Sequence, residues 1–350
     1  MATFEPAWLP LAVGSVPYSE AAEAWSAVLR HLPGTPFWPQ MPRRSFRENM
    51  YAQYSEGFPG VVLEEERVYV DRRRDLDPAL ERLYLAYLEN DLSYGAISAE
   101  YSAGLAALRE GRVLLEQPPA LIKGQVTGPV SWGLTVVDQE RRPLLYDEVL
   151  ADAIAKHLRL KAAWQEQALA PYAEATVIFI DEPYLSAFGS AFVAVNRDQV
   201  VELLHEVLAG ISGLKGIHCC GNTDWSMLLE TPIDILNLDA YEYAGALALY
   251  PSEVRAFLDR GGMIAWGIVP AGEAAQEETP EHLVQRLHEA MGLLVEKGVP
   301  PELLLQRGLV APSCGTGSLS APLAERVLGL TNQVSQIMRD RYVTQEEQPS

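Results

Sequence analysis

Thr176-Val177-Ile178-Phe179-Ile180 followed by Asp181-Glu182-Pro183, a helical pattern over 197–209, and then Leu214-Lys215-Gly216-Ile217 followed by His218-Cys219-Cys220 is the stretch that decides the fold. Two short apolar runs, each closed by polar or turn-forming residues, flank a segment whose apolar positions recur with a period near 3.6. Asn196 stands where a helix N-cap belongs, with Gln199 three residues on in the pattern of a capping box. A strand that is apolar throughout has both faces covered, and a helix of this length between two such strands is the crossover that parallel pairing requires.

Outward from this unit the alternation continues. Short apolar runs fall at 9–13, 60–63, 120–123, 234–238, 263–266 and 309–311, which with the first two make eight candidate strands. Helical patterns occupy 20–31, 76–90, 98–110, 144–170, 223–230, 252–260, 280–297 and 321–342, with Thr279-Pro280 and Ser320 marking two further starts. Eight rounds of strand and helix predict an α/β fold, a single (β/α)8 TIM barrel over residues 1–343, with 344–350 as a disordered tail. A doubly wound open sheet is disfavoured because the first turn reads Gly14-Ser15-Val16-Pro17 instead of a G-x-G-x-x-G phosphate loop. The segment 37–75 is the least regular, and 61–63 with 67–70 read as a hairpin added to the second strand.

Composition narrows the partners. The 350 residues are 48% hydrophobic and 21% charged, enough apolar content for a large core. With 27 Lys and Arg against 47 Asp and Glu the formal charge is −20, which repels phosphate backbones and anionic headgroups; nucleic acid and membrane are excluded as expected partners. The N-terminus has neither a basic n-region nor a long apolar h-region, so a cytoplasmic location is expected. Three cysteines in such a chain do not make a disulfide framework.

In a barrel of this kind chemistry gathers where strands end. His218 and Cys220 close the fifth run and, two apart in an extended chain, face the same side while Cys219 faces away. Cys314 follows the eighth run and Asp239 the sixth. One imidazole, two thiolates and one carboxylate form a zinc ligand set, sulfur and nitrogen donors suiting zinc far better than magnesium or calcium. Ligands drawn from separate strands, with no local Cys-x-x-Cys knuckle, indicate a catalytic site. A zinc already holding two thiolates is a weak activator of water and a good receptor for another sulfur, whose proton it displaces. The chemistry expected is alkyl transfer to a metal-bound thiolate.

The ordered set Gly14-Ser15-Val16-Pro17, Thr127-Gly128-Pro129, Ile180-Asp181-Glu182-Pro183, His218-Cys219-Cys220 and Ser313-Cys314-Gly315 resembles the C-terminal catalytic barrel of cobalamin-independent methionine synthase, within the superfamily that includes uroporphyrinogen decarboxylase. The resemblance spans nearly the whole chain. It implies zinc on His218, Cys220 and Cys314, with Asp239 where the synthase has a glutamate. It also implies that Ser15, Asp181 and Thr127 contact homocysteine, with Asp181 pairing the ammonium and one of Glu64, Glu65 or Glu66 as a second partner. Two departures bear on the methyl donor: the synthase has an additional N-terminal barrel, and a histidine in the loop after strand seven, where this chain reads Gly267-Ile268-Val269-Pro270-Ala271-Gly272. Both point away from methyltetrahydrofolate toward methylcobalamin or a methylated corrinoid protein. The alternatives are transfer to another thiol resembling coenzyme M, and a zinc- or corrinoid-binding protein without catalysis.

Overall fold

A computed structural model describes residues 4–190 and 193–343; the tail expected at 344–350 lies outside the described residues. In chain order the strands are β1 (Val61–Glu64), β2 (Arg67–Val70), β3 (Ile122–Thr127), β4 (Val137–Asp138), β5 (Thr176–Asp181), β6 (Leu214–Cys219), β7 (Ile235–Leu238), β8 (Met263–Val269) and β9 (Gly308–Pro312). Six of them form one parallel sheet in the order β3-β5-β6-β7-β8-β9, each pair in chain sequence joined by a connection that carries helix.

Alternate residues of these strands serve two separate cores. Val177, Phe179, Ile235, Met263, Ala265, Leu309 and Ala311 pack together on one face. Ile178, Ile180, Ile217, Leu236, Leu238, Ile264 and Val310 face the other way, into the larger core shared with the helices. Burial on both faces is why these strands read as continuous apolar runs. The caps at Asn196, Thr279 and Ser320 accept from the backbone amides of Gln199, His282 and Leu323, as their helix-start patterns predict.

The ladder is shorter than the eight strands expected, and the first two assignments change. Residues 60–63 do not join the parallel sheet: β1 and β2 form an antiparallel hairpin, and β2 pairs with β4 in a separate three-stranded sheet. The first run reaches the main sheet through a single bridge, Pro10 to Val310, supported by Leu11 N–H donating to Val310 at 2.7 Å. Beside β3 lies the irregular segment Pro36-Phe37-Trp38-Pro39-Gln40, with bridges from Phe37 to Lys123 and from Gln40 to Ser15. Parallel bridges therefore continue from both edges of the six-stranded sheet and meet at Ser15 and Gln40. Pro10, Pro36 and Pro39 bring no N–H, so regular ladders cannot form there. Among the described residues no helix is long and apolar enough to cross a membrane.

Candidate metal centre

The inner-face alternation of β5 and β6 carries Asp181 and His218 to the C-terminal end of the sheet, where Asp181 pairs in register with His218. Cys220 follows on the same side as His218. Cys219 points into the larger core shared with the helices, fully buried, its thiol near the Gly221 carbonyl at 3.5 Å. Burial pushes that thiol up to about 12, which keeps it an inert hydrophobe.

Cys314 arrives just past the C-terminal end of β9, the strand at one edge of the sheet. Ser313 N–H donates to the Val269 carbonyl at 2.8 Å and its Oγ accepts from Ala271 N–H at 3.0 Å, so the residue before Cys314 is clamped to the end of β8. Beyond it, Thr316 N–H donates to the Ser15 carbonyl and Gly317 N–H to Ser15 Oγ. A Cβ at Gly315 would stand 2.3 Å from Ser15 Oγ, so a side chain there would turn that hydroxyl away from Gly317 N–H.

His218, Cys220 and Cys314 offer three donor atoms that all lie within 4.8 Å of one another. Both ring nitrogens of His218 are buried without a hydrogen-bond partner. A fully buried imidazole with neither nitrogen engaged is costly unless something binds it. Burial works against protonation of His218, but the adjacent Cys314 and Asp181 outweigh it and hold its pKa above the ordinary histidine value. Of the two thiols Cys220 ionises first, because its interaction with Cys314 lowers its pKa. The donor set and the orphaned imidazole fit a soft or borderline metal cation.

The three donors stand on the wall of a cavity of about 260 Å³, which Ser15, Gln40 and Asp181 also line. Asp181 is buried, its Oδ1 has no partner, and burial raises its carboxyl above the usual range against the opposing charges of Lys123 and His218. The other expected residues stand elsewhere. Thr127 is not on the cavity wall; its Oγ1 donates to the Met50 carbonyl at 2.6 Å and so braces the segment whose Asn49 and Met50 do line it. Asp239 is outside the three-residue group, and its carboxylate caps the following helix by accepting from Glu242 N–H at 3.0 Å. Glu64, Glu65 and Glu66 are exposed at the tip of the β1–β2 hairpin and none lines the cavity.

Two residues that sequence reasoning passed over contribute. Gln40 is on the cavity wall. Glu182, next to Asp181 but on the opposite face, accepts from Val130 N–H, Ser131 N–H and Ser131 Oγ, binding the Thr127-Gly128-Pro129 turn to β5. Burial lifts its carboxyl to about 7 in spite of those bonds.

Fold and site together define a parallel α/β scaffold with a His-Cys-Cys cluster of metal-ligating side chains at the C-terminal end of its sheet. The chain shares its fold with solved structures of other proteins. A B12-independent methionine synthase from Shewanella sp. W3-18-1, in complex with selenomethionine, matches with TM-score 0.57 and 17% identity, over 96% of this chain and 99% of that one. A methyltransferase from Methanosarcina mazei matches with TM-score 0.50 and 14% identity, over 95% and 94%. No sequence-family model and no curated protein matches the chain.

Proposed function

We propose that this chain is a zinc-dependent methyltransferase that moves a methyl group onto the sulfur of homocysteine to give methionine. The observation that carries the reading is the convergence of His218, Cys220 and Cys314 within 4.8 Å on a cavity that also presents the unpartnered carboxylate oxygen of Asp181. Zinc, when bound, supplies one thing: it holds the substrate sulfur as a thiolate at neutral pH, where a free thiol near pKa ~8.5 is mostly protonated. The chain does the rest. His218, Cys220 and Cys314 would hold the metal at the wall of the cavity in which the substrate sulfur would meet it. Asp181 takes the ammonium group, which fixes the direction from amine to sulfur. Ser15, tied through its carbonyl and Oγ to the loop after Cys314, keeps the two sides of the site at a constant separation and offers its hydroxyl proton to the substrate carboxylate.

For the donor, the loop 267–272 brings no imidazole to protonate a folate nitrogen, which favours methylcobalamin or a methylated corrinoid protein docking over the cavity. In that transfer the thiolate attacks the methyl carbon, the carbon–cobalt bond breaks, and its electron pair stays on cobalt. A corrinoid-free donor is the second reading, favoured by the near-complete length match to a B12-independent synthase. Metal analysis followed by an assay of methylcobalamin and of methyltetrahydrofolate against a panel of thiols separates them. Methionine from methylcobalamin and homocysteine is expected; product from methyltetrahydrofolate alone overturns the corrinoid. Preference for a thiol without an amino group, such as coenzyme M, overturns the substrate. Zinc binding without proton release on adding any thiol leaves only a passive binding protein.

A further inference from the structure

We infer that Gln40 is a substrate-contacting residue: its side-chain carbonyl oxygen joins the Asp181 carboxylate as a second acceptor for the ammonium group of the substrate. The inference rests on the proposal that the substrate is an amino-acid thiol.

The orientation of the Gln40 amide follows from a chain of donors whose direction is set at both ends. Gln53 Nε2 donates to the Tyr101 carbonyl, so the Gln53 oxygen is turned toward Gln40. Gln40 must answer with its NH2 group, and Nε2 of Gln40 donates to Gln53 Oε1. The same Nε2 donates to Tyr54 Oη at 3.1 Å. Tyr54 in turn spends its proton on the Gln125 carbonyl at 2.6 Å, so toward Gln40 it is an acceptor. Both hydrogens of the Gln40 amide are thereby used, and Oε1 is the one atom of that group left for a ligand.

Backbone bonds hold this amide at the site. Gln40 N–H donates to the Gly14 carbonyl at 3.0 Å and Val16 N–H to the Gln40 carbonyl at 2.9 Å, setting Gln40 beside Ser15. Gln40 is buried, 5% exposed, and lines the same cavity as Asp181. Reversing the amide would place NH2 groups against each other at Gln53, so the carbonyl orientation is locked. A neutral, fixed acceptor beside a carboxylate suits an ammonium, which brings three donors and no acceptor, and does nothing for a thiol without an amine.

The test uses the zinc-loaded full chain and two thiols, homocysteine and its des-amino analogue 4-mercaptobutanoate, with affinities from calorimetry. The wild type is expected to prefer homocysteine. Gln40→Met should weaken homocysteine about tenfold or more while leaving 4-mercaptobutanoate within about twofold, zinc content being unchanged. Gln53→Met frees the Gln40 amide to turn and should reduce the same preference by a smaller factor; it serves in place of the first variant if that one does not fold. A wild-type preference retained in full by the variants overturns the role of Gln40 alone. A wild type without any preference overturns the amino-acid substrate, and this inference with it.

Discussion

The Cβ that Gly128 lacks would stand 2.2 Å from Oε1 of Glu182. The two residues come from the ends of neighbouring strands, β3 and β5, and the carboxylate lies where any side chain at 128 would be. Gly128→Ala must displace a buried group that holds two amides and a hydroxyl, and an overpacked site of this kind costs about 1–3 kcal/mol. Urea unfolding of the variant is expected to show that loss. A variant as stable as the wild type would mean that Glu182 is not bound as described.

Zinc stoichiometry should separate the cysteines. Cys220→Ser and Cys314→Ser each remove a donor of the cluster and should leave far less than one zinc per chain after dialysis, as should His218→Ala. Cys219→Ser should keep full stoichiometry and lose stability instead, because it places a hydroxyl in an apolar core. Asp239→Ala should also keep its zinc and lose about 0.5–2 kcal/mol, the usual worth of a helix N-cap. Metal loss in Asp239→Ala would restore the carboxylate as a fourth ligand.

Lys123 ties the irregular first segment to β3. Its fully buried ammonium donates to the Val13 carbonyl and to Gln125 Oε1 at 3.3 Å, and lies 4.7 Å from the Phe179 ring centre. Burial lowers its pKa to about 8. Lys123→Met keeps the bulk and removes the ammonium that makes both hydrogen bonds, leaving the buried Val13 carbonyl without this donor at about 1–3 kcal/mol. Hydrogen exchange should rise at Leu11 and Val16, whose amides hold that segment to its neighbours. Unchanged exchange at those two amides would show that the ladder bonds suffice without the lysine.

What could be read from the sequence followed burial. The six ladder strands are apolar on both faces and bounded by turns, so their runs are visible, and the alternation of His218, Cys219 and Cys220 assigns two residues inward and one outward correctly. Residues 36–40 are missed because three features of a turn, two prolines and a preceding Gly-Thr pair, sit on a segment that lies beside β3. The apolar hairpin 61–70 then takes its place in the reading. Gln40 is hidden by the same irregularity. Asp239 illustrates a different limit: an acid after a strand serves a helix cap or a metal equally well, and what the structure adds is the cap, Glu242 N–H donating to its Oδ1. Asp181 and Glu182 are likewise equivalent in sequence, and the pleat alone sends one to the cavity and the other to the helix at 129–135.

The acid side of the stability profile should carry the mark of His157. This imidazole is buried against Phe58, donates from Nε2 to the Tyr54 carbonyl at 2.8 Å, and has no partner at Nδ1. Burial, with the Lys161 charge second, lowers its pKa to about 3. The unfolded chain takes up a proton near pH ~6.5 that the folded chain refuses. The stabilisation linked to this group is therefore complete above that pH and is lost as pH falls toward 3, at about 1.4 kcal/mol per unit. His157→Gln can still donate to the carbonyl but does not titrate. Between pH ~6 and ~5 the wild type should lose about 1 kcal/mol more than the variant in denaturant unfolding, with the linkage set by one proton. Parallel losses would mean that the imidazole is hydrated in the folded state and that the Tyr54 segment, which also carries the hydroxyl holding Gln40, is looser than its hydrogen bonds imply.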